Sequence, residues 1–378
     1  AYSAIGTVCA HLVGRKLIGL NFDQQRFEAD FRFNMMRVRE NSESVAFYRG
    51  EQPENVGFHE RFARVIKNFW QLMRQTKILN FYVNGYAQLA IIVPLVLAAP
   101  QYFAGTMALG GLMQTVSAFG RVQDALSYFV ESYDTIAQLA AVVRRLSTFT
   151  EHMQEVAGIE NGVHRGEAAA AQLSLADLEV QLPDGRALLQ DCTLQLPQGS
   201  HALVTGSSGC GKSTLLRTLA GIWPYGKGEL KLPAGSRVLF LPQRPYLPLG
   251  SLRRALYYPL SASGGEEQLK NVLRQVGLEK FIERLDMVDD WSRILSLGEQ
   301  QRLAFARVLL VRPDWIFLDE ATSALDEPRE QEMYVLLKSS LPESSIVSVG
   351  HRSTLFAQHE TELHLAGDGS WQLRPIAK

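Results

Sequence analysis

The feature that most constrains this chain is a run without charge: from Ile78 to Gly120 there are 43 residues and not one Asp, Glu, Lys or Arg. A bilayer's hydrocarbon core, about 30 Å thick, is crossed by about 20 apolar residues of helix. The run therefore holds one complete span and most of a second. We read the first span as Ile78–Phe103, a short outer turn as Ala104–Gly111, and the second span as continuing into Val130. The alternative is a helical hairpin buried in a soluble core, although soluble helices of this length rarely lack charge on every face. Ala1–Leu20 is also apolar and reads as the end of an earlier span. Because that segment already reads as helix and its first residue is Ala1 rather than Met, part of the parent protein is expected upstream.

Between the two apolar regions, Arg15–Lys77 carries 12 Lys/Arg against 8 Asp/Glu, the excess that marks a cytoplasmic connection. Its apolar residues recur at helical spacing, as Phe27, Phe31, Met35 and Val38, and again as Phe58, Phe62, Val65 and Phe69. The pattern predicts two long helices that leave the membrane, joined by a turn at Gly50, Pro53 and Gly57. Helix is expected again over Ala137–Phe149, with Arg144 and Arg145 on the same side as the first charged stretch. Glu151–Gln172, with Gly158, Gly162, Gly166 and an alanine run, reads as a linker. The expected organisation is a partial α-helical transmembrane domain over 1–150, a linker over 151–172 and an α/β domain over 173–378.

In the last part, β-rich runs at Leu178–Leu182, His201–Thr205, Val238–Leu241, Trp315–Leu318 and Ser345–Val349 alternate with helical patterns. Such alternation predicts an α/β domain around a largely parallel sheet. The net charge of −1 argues against a nucleic-acid binder that works by bulk electrostatics. The cysteines Cys9, Cys192 and Cys210 lie far apart, which offers neither a disulfide framework nor a thiolate metal site.

Chemistry concentrates in this α/β part. Gly206-Ser207-Ser208-Gly209-Cys210-Gly211-Lys212-Ser213-Thr214 matches the phosphate loop G-x-x-x-x-G-K-[ST], following one apolar strand and opening a helix. Its glycines let backbone N–H groups point at phosphates, and the helix N-terminus adds positive potential. Lys212 would reach the β- and γ-phosphates, and the Ser213 hydroxyl would ligate Mg²⁺. Cys210 contributes only backbone, and its alkylation is expected to block ATP by steric clash. About a hundred residues on, Trp315-Ile316-Phe317-Leu318 ends in Asp319 and Glu320. The first carboxylate is placed to hold Mg²⁺ through water and the second to polarise an attacking water. Without the phosphate loop, the same residues would read as a core strand with an exposed end.

Four further motifs carry a resemblance. Leu295-Ser296-Leu297-Gly298-Glu299 is similar to the signature of the ABC ATPases, and Gln243 in Leu-Pro-Gln-Arg-Pro-Tyr to their Q-loop glutamine. Ser323-Ala324-Leu325-Asp326 resembles the D-loop, and His351 resembles the switch histidine. The resemblance implies ATP as substrate and Mg²⁺ held by Ser213, Gln243 and Asp319. It further implies Glu320 as general base, His351 and Lys212 at the γ-phosphate, and Ser296 with the Gly298 backbone completing the site from a second subunit. Half of each ATP site would then be missing from one chain, so the module is expected to work as a dimer.

The wording of these motifs, together with Asn41-Ser-Glu-Ser-Val-Ala-Phe-Tyr-Arg-Gly50, resembles one branch of that family. It holds bacterial permease–ATPase fusions related to the SbmA/BacA peptide transporters, and the peroxisomal subfamily D transporters of acyl-CoA. The resemblance implies an ABC exporter-type half-transporter, multi-pass in the inner (plasma) membrane or, in a eukaryote, the peroxisomal membrane. It also implies a cytoplasmic ATPase domain and no nucleic-acid partner. The partners would be a second half-transporter, in a homodimer, a transported solute and the lipid bilayer. This chain would start within the fourth membrane helix, and the turn near Gly50–Gly57 would be a coupling helix or a solvated connector. Peptide, acyl-CoA and cobalamin-like solutes all fit the branch. A non-transporting membrane regulator or an inactive fragment is the competing reading.

Two departures stand out. Leu182 occupies the position before Pro183 where the family offers an aromatic residue to adenine. Leu297 and Glu299 replace a glycine and a glutamine of the signature, read either as a subfamily dialect or as an impaired site. In the membrane part, Asn80, Asn84 and Gln88 form one polar stripe, and Gln114, Ser117, Arg121 and Asp124 another. Each stripe reads either as pathway lining or as interhelical hydrogen bonding with an Arg121–Asp124 pair.

Overall fold

The computed structural model describes residues 2–158, 162–260 and 265–376. The chain divides into two compact units, Ala1–Gly158 and Ile159–Lys378.

The first unit is helical: α1 (Tyr2–Glu40), α2 (Ser42–Phe47), α3 (Glu51–Phe103), α4 (Leu109–Glu131) and α5 (Tyr133–Ala157). At 1.5 Å per residue, α3 with its 53 residues is about 80 Å long, far more than a bilayer needs. Among the described residues it is the one helix long and apolar enough to cross a membrane. It ends at Phe103, and the outer turn occupies Ala104–Ala108. Helix α1 runs beside α3, where Leu17 and Leu79 are buried with Val13, Leu72 and Val83 around them. Asn68 rivets the pair by donating to Leu20 O and Gln24 Oε1, each at 2.9 Å. Further out, Phe31 contacts Phe58 and Phe62 at ring separations of 6.2 and 5.6 Å.

The connection between these helices differs from expectation. Only Gly50 lies in the turn; Pro53 and Gly57 sit inside the first turns of α3. Proline is at home there because the first helical N–H groups have no intrahelical partner. The short helix is α2, just before the turn, and the chain reverses through Arg49 at φ 52°. Asn80, Asn84 and Gln88 lie exposed on one face of α3, as do Gln114, Ser117 and Arg121 on α4. The side chain of Asp124 falls outside the described residues.

The second unit is built on three sheets. In the first, β1 (Val163–Ala168), β5 (Gly226–Pro233), β2 (Gln172–Gln181) and β3 (Ala187–Pro197) lie in the order β1-β5-β2-β3, antiparallel except for β1 against β5. The second has the order β12-β11-β4-β10-β9-β6, made of β4 (His201–Gly206), β6 (Val238–Leu241), β9 (Trp315–Asp319), β10 (Ser345–Val349), β11 (Thr361–Leu365) and β12 (Trp371–Pro375). It is parallel apart from β12. A small ribbon pairs β7 (Gly250–Ser251) with β8 (Val288–Asp289).

Strand alternation sorts the core into two layers. Trp315 and Phe317 of β9 face the antiparallel sheet and α6 (Lys212–Ala220), packed with Leu175, Val180 and Leu215. Ile316 and Leu318 face the opposite layer of helices: α7 (Leu252–Tyr257), α8 (Glu266–Gln275), α10 (Leu297–Val311) and α11 (Glu327–Ser340), with the short α9 (Trp291–Ile294). Burying both faces explains why Trp315–Leu318 of β9 is an unbroken apolar run and why β10 is buried along its whole length, Ser345 and Ser348 included. The expected linker is shorter than its composition suggested. Helix α5 runs on to Ala157, and Val163–Ala168 is the edge strand of the first sheet. Gly162 belongs to that junction, because a Cβ there would lie 2.1 Å from Gly226 O.

Candidate functional site

Parallel strands place their C-terminal ends along one edge, where open α/β sheets bind ligands. The motifs arrive at that edge one by one. Strand β4 leads into the phosphate loop, β6 to Gln243, β9 to Asp319 and Glu320, and β10 to His351.

The loop needs its glycines. Gly206, Gly209 and Gly211 have φ of 138°, 81° and 106°, a region side chains resist. At Gly206 a Cβ would also meet Leu365 O at 2.3 Å and Cys210 Sγ at 2.7 Å. Lys212 curls back over the loop and donates to Gly206 O at 2.8 Å and Ser207 O at 2.9 Å. Ser208 and Gly209 are exposed at the loop's crest, and Thr214 lies in the first turn of α6. Cys210 is buried, 3 % exposed, so a thiol reagent reaches it only when the loop opens.

Ser213 Oγ donates to Asp319 Oδ1 at 2.9 Å, bringing an alcohol and a carboxylate oxygen to one point beside the loop. That is the donor set Mg²⁺ accepts when phosphate oxygens and water fill its remaining positions. Among the described residues no three His, Cys, Asp or Glu side chains cluster as a metal site. These residues fit ATP with Mg²⁺.

Beyond Asp319 the backbone turns left-handed at Glu320, φ 49°, whose N–H donates to Val349 O at 3.2 Å. The Glu320 carboxylate accepts from Gln243 Nε2 at 3.1 Å and lies 3.9 Å from His351 Nδ1. Gln243, Glu320 and His351 thus form one polar group next to the Ser213–Asp319 pair. A cavity of about 100 Å³ lined by Glu320, Ser323 and His351 continues this edge.

The signature residues start α10. Ser296 is its N-cap, accepting from Glu299 N at 3.3 Å, while Glu299 Oε2 accepts from Ser296 N at 2.8 Å and from its hydroxyl at 3.0 Å. Glu299 therefore closes a capping box, a task that glutamate and glutamine both perform. Burial raises its pKa, but Lys280 at 2.6 Å and the Ser296 bonds outweigh that and hold it below the usual carboxylate range. Leu295 is buried beneath the helix start and Leu297 is half-buried. Gly298 is needed where a Cβ would press on Ala324 O at 3.0 Å. Asp326 caps α11 by accepting from Arg329 N at 3.1 Å.

Sequence reasoning missed Gln301. It is fully buried, donates to Gln243 O at 2.9 Å and Ser323 Oγ at 3.1 Å, and accepts from Ala324 N at 2.9 Å. Arg352 was missed as well; it donates to Leu325 O at 2.7 Å and Ser323 O at 2.9 Å. Gln301 stood in plain view two residues after Glu299, but nothing local marks an amide on an amphipathic helix as buried. At Leu182 the tip of β2 offers no aromatic ring. The rings at that end are Trp223, whose indole donates to Gln181 O at 2.8 Å, and Tyr225 edge-on to it.

Comparison with known proteins follows the division into units. Residues 1–154 match the SbmA/BacA-like family, and residues 189–323 match the ABC transporter family. An uncharacterized ABC transporter ATP-binding protein of Haemophilus influenzae is 39% identical over 97% of this chain and 62% of its own length. The lysosomal cobalamin transporter ABCD4 of Homo sapiens is 30% identical over 99% of this chain and 68% of its own length. Among solved structures, a bacterial Atm1-family ABC exporter with ATP bound superposes with a TM-score of 0.76 at 17% identity. It covers 97% of this chain and 68% of that one, a likeness of fold. The chain spans about three-fifths of the length of the first curated relatives it matches. On this evidence the chain belongs to the ABC transporters, in the branch that joins an SbmA/BacA-like membrane region to an ABC ATP-binding domain.

Proposed function

We propose that the chain is the ATPase-bearing part of a half-transporter that hydrolyses ATP as a homodimer and uses the cycle to move a solute across a membrane. The carrying observation is the meeting of Ser213 with Asp319 and of Gln243 with Glu320 on one sheet edge beside a glycine-formed phosphate loop. In this reading Lys212 leaves its carbonyl partners for the phosphates, and the amides of Gly206–Thr214 surround them. Ser213, Gln243 and Asp319 hold Mg²⁺, which supplies charge stabilisation at the transferring phosphoryl group. Glu320 takes the proton of the attacking water, oriented by Gln243, and His351 donates to the γ-phosphate. Leu295–Glu299 serve the partner's nucleotide, Ser296 and the Gly298 amide making the contacts, and Asp326 lies at the interface.

The coupling element is α2 with the turn after it, where Phe47 and Tyr48 are 80% and 87% exposed and free to dock on an ATPase module. The solute remains a peptide, an acyl-CoA or a cobalamin-like molecule. The membrane is the inner membrane of a bacterium or the peroxisomal membrane of a eukaryote, with the ATPase domain in the cytoplasm.

Mg-ATPase activity of the purified parent protein tests the assignment. Glu320→Gln should lower kcat by at least about a hundredfold, the scale of losing a catalytic base, while labelled ATP still binds. An active Glu320→Gln protein, or an inactive wild type, would sink the catalytic reading.

A further inference from the structure

At the tip of the helical unit lies a cavity of about 460 Å³ that the nucleotide chemistry does not use. It is enclosed by the last turns of α1, by α2 and by the first turns of α3. Helical spacing builds its walls: Asn34, Arg37 and Asn41 recur on one face of α1 and its end, and Glu54, Gly57 and Arg61 on the facing side of α3.

The lining is electrostatically unbalanced. Two guanidinium groups, Arg37 and Arg61, share the space with one carboxylate, Glu54. None of the three takes part in an ion pair among the described residues. Arg61 spends one N–H on Gly57 O at 3.1 Å and keeps the others. Glu54 belongs to the first turn of α3, where the helix dipole accommodates a negative charge. Asn41 turns its amide to Arg37 O at 2.8 Å.

Asn34 backs the same wall: it is only 9% exposed, and its Nδ2 is closed off from solvent. Two unpaired guanidiniums against one carboxylate, in a cavity of ligand size, specify an oxyanion.

We propose that this cavity binds a phosphate group from the aqueous phase, held by Arg37 and Arg61. The source is inorganic phosphate or a small phosphomonoester. Lipid headgroups are out of reach, because Arg61 lies 17 residues before the uncharged run, about 25 Å along α3. An occupant ties α1 to α3 behind α2 and so steadies the segment carrying Phe47 and Tyr48. The site lies apart from the phosphate loop and does not depend on the ATPase reading.

The test removes the loop's own phosphate binding with Lys212→Ala and titrates that full-length protein with inorganic phosphate and, separately, with glycerol 3-phosphate. Calorimetry reads stoichiometry, and hydrogen exchange reads protection of α2. We expect one equivalent bound per chain, with slower exchange over Ser42–Phe47. Adding Arg37→Gln and Arg61→Gln should weaken binding by tenfold or more, the scale of lost charge-assisted hydrogen bonds. Asn34→Asp keeps the shape of the side chain and should abolish binding by repulsion. Tighter binding of one probe identifies the source. The proposal is overturned if Lys212→Ala protein binds neither probe, or if binding survives unchanged in Arg37→Gln/Arg61→Gln or in Asn34→Asp protein that remains folded by circular dichroism.

Discussion

Glu299 shows how one residue can serve the fold and burden the site. Its carboxylate completes the cap of α10, yet it touches the Ser296 hydroxyl that the proposed function offers to the partner's phosphate. Lys280 neutralises it at 2.6 Å. A carboxyl held below its usual pKa stabilises the fold at pH above its unfolded value, and that contribution is lost as pH falls through the folded value. Near neutrality the charge is therefore present, and its partner matters. Lys280→Ala should raise the ATP concentration needed for half-maximal hydrolysis by about three- to tenfold, as for loss of a partly buried ion pair near a phosphate. Glu299→Gln keeps the capping box and removes the repulsion, so the Lys280→Ala defect should shrink in that background. Equal defects in both backgrounds would mean that Lys280 acts some other way. The same local reading favours a dialect over an impaired signature, since the glutamate has a structural task that glutamine also performs.

Helix α10 is the element that ties the separate motifs together. Gln301 sends one amide to the loop after β6 and to the loop after β9, so a shift of the signature end is felt at Gln243 and Ser323. Gln301→Leu leaves Gln243 O and Ala324 N without these partners, a loss of roughly 2–4 kcal/mol. Thermal unfolding should register it, and kcat should fall by tenfold or more with nucleotide binding less affected; a folded variant with full kcat would refute this coupling. The sequence displayed the motif strands clearly, because β4, β6, β9 and β10 are short, largely apolar runs leading to the phosphate loop, Gln243, Asp319–Glu320 and His351. The first sheet was largely hidden. Its strand β2 alternates buried and half-buried positions with bulges after Leu175, and β1 is glycine-containing and polar, which reads as linker. What fixes β1 is the close approach of Gly162 to Gly226, a tertiary constraint with no local trace. Likewise Gly57 looked like a turn residue but continues α3, since tertiary packing against α1 outweighs the modest helical cost of glycine. Gln301 stayed invisible for the same reason: its burial comes from partners 58 and 22 residues away.

At the scale of the whole molecule, the proposed function requires that the catalytic group and the signature of one chain serve different sites. Within one chain, Ser296 is engaged with its own helix start, and no signature residue is hydrogen-bonded to the phosphate loop, Gln243 or Glu320 among the described residues. If two chains complete each other, lesions in different halves should compensate. Lys212→Ala removes the loop's cation and Ser296→Arg blocks the partner-facing hydroxyl, so each variant alone should be inactive. In a mixed dimer one site combines both lesions and is dead. The other pairs the intact loop of the Ser296→Arg chain with the intact signature of the Lys212→Ala chain. With random assortment half of the dimers are mixed and each holds one working site, so co-reconstituted variants should recover up to about a quarter of wild-type ATPase. Mixing after separate reconstitution gives the control, because chains in different vesicles cannot exchange. No recovery in the co-reconstituted sample, with mixed dimers verified by tag pull-down, would reject composite sites. Recovery without physical association would reject the dimer itself.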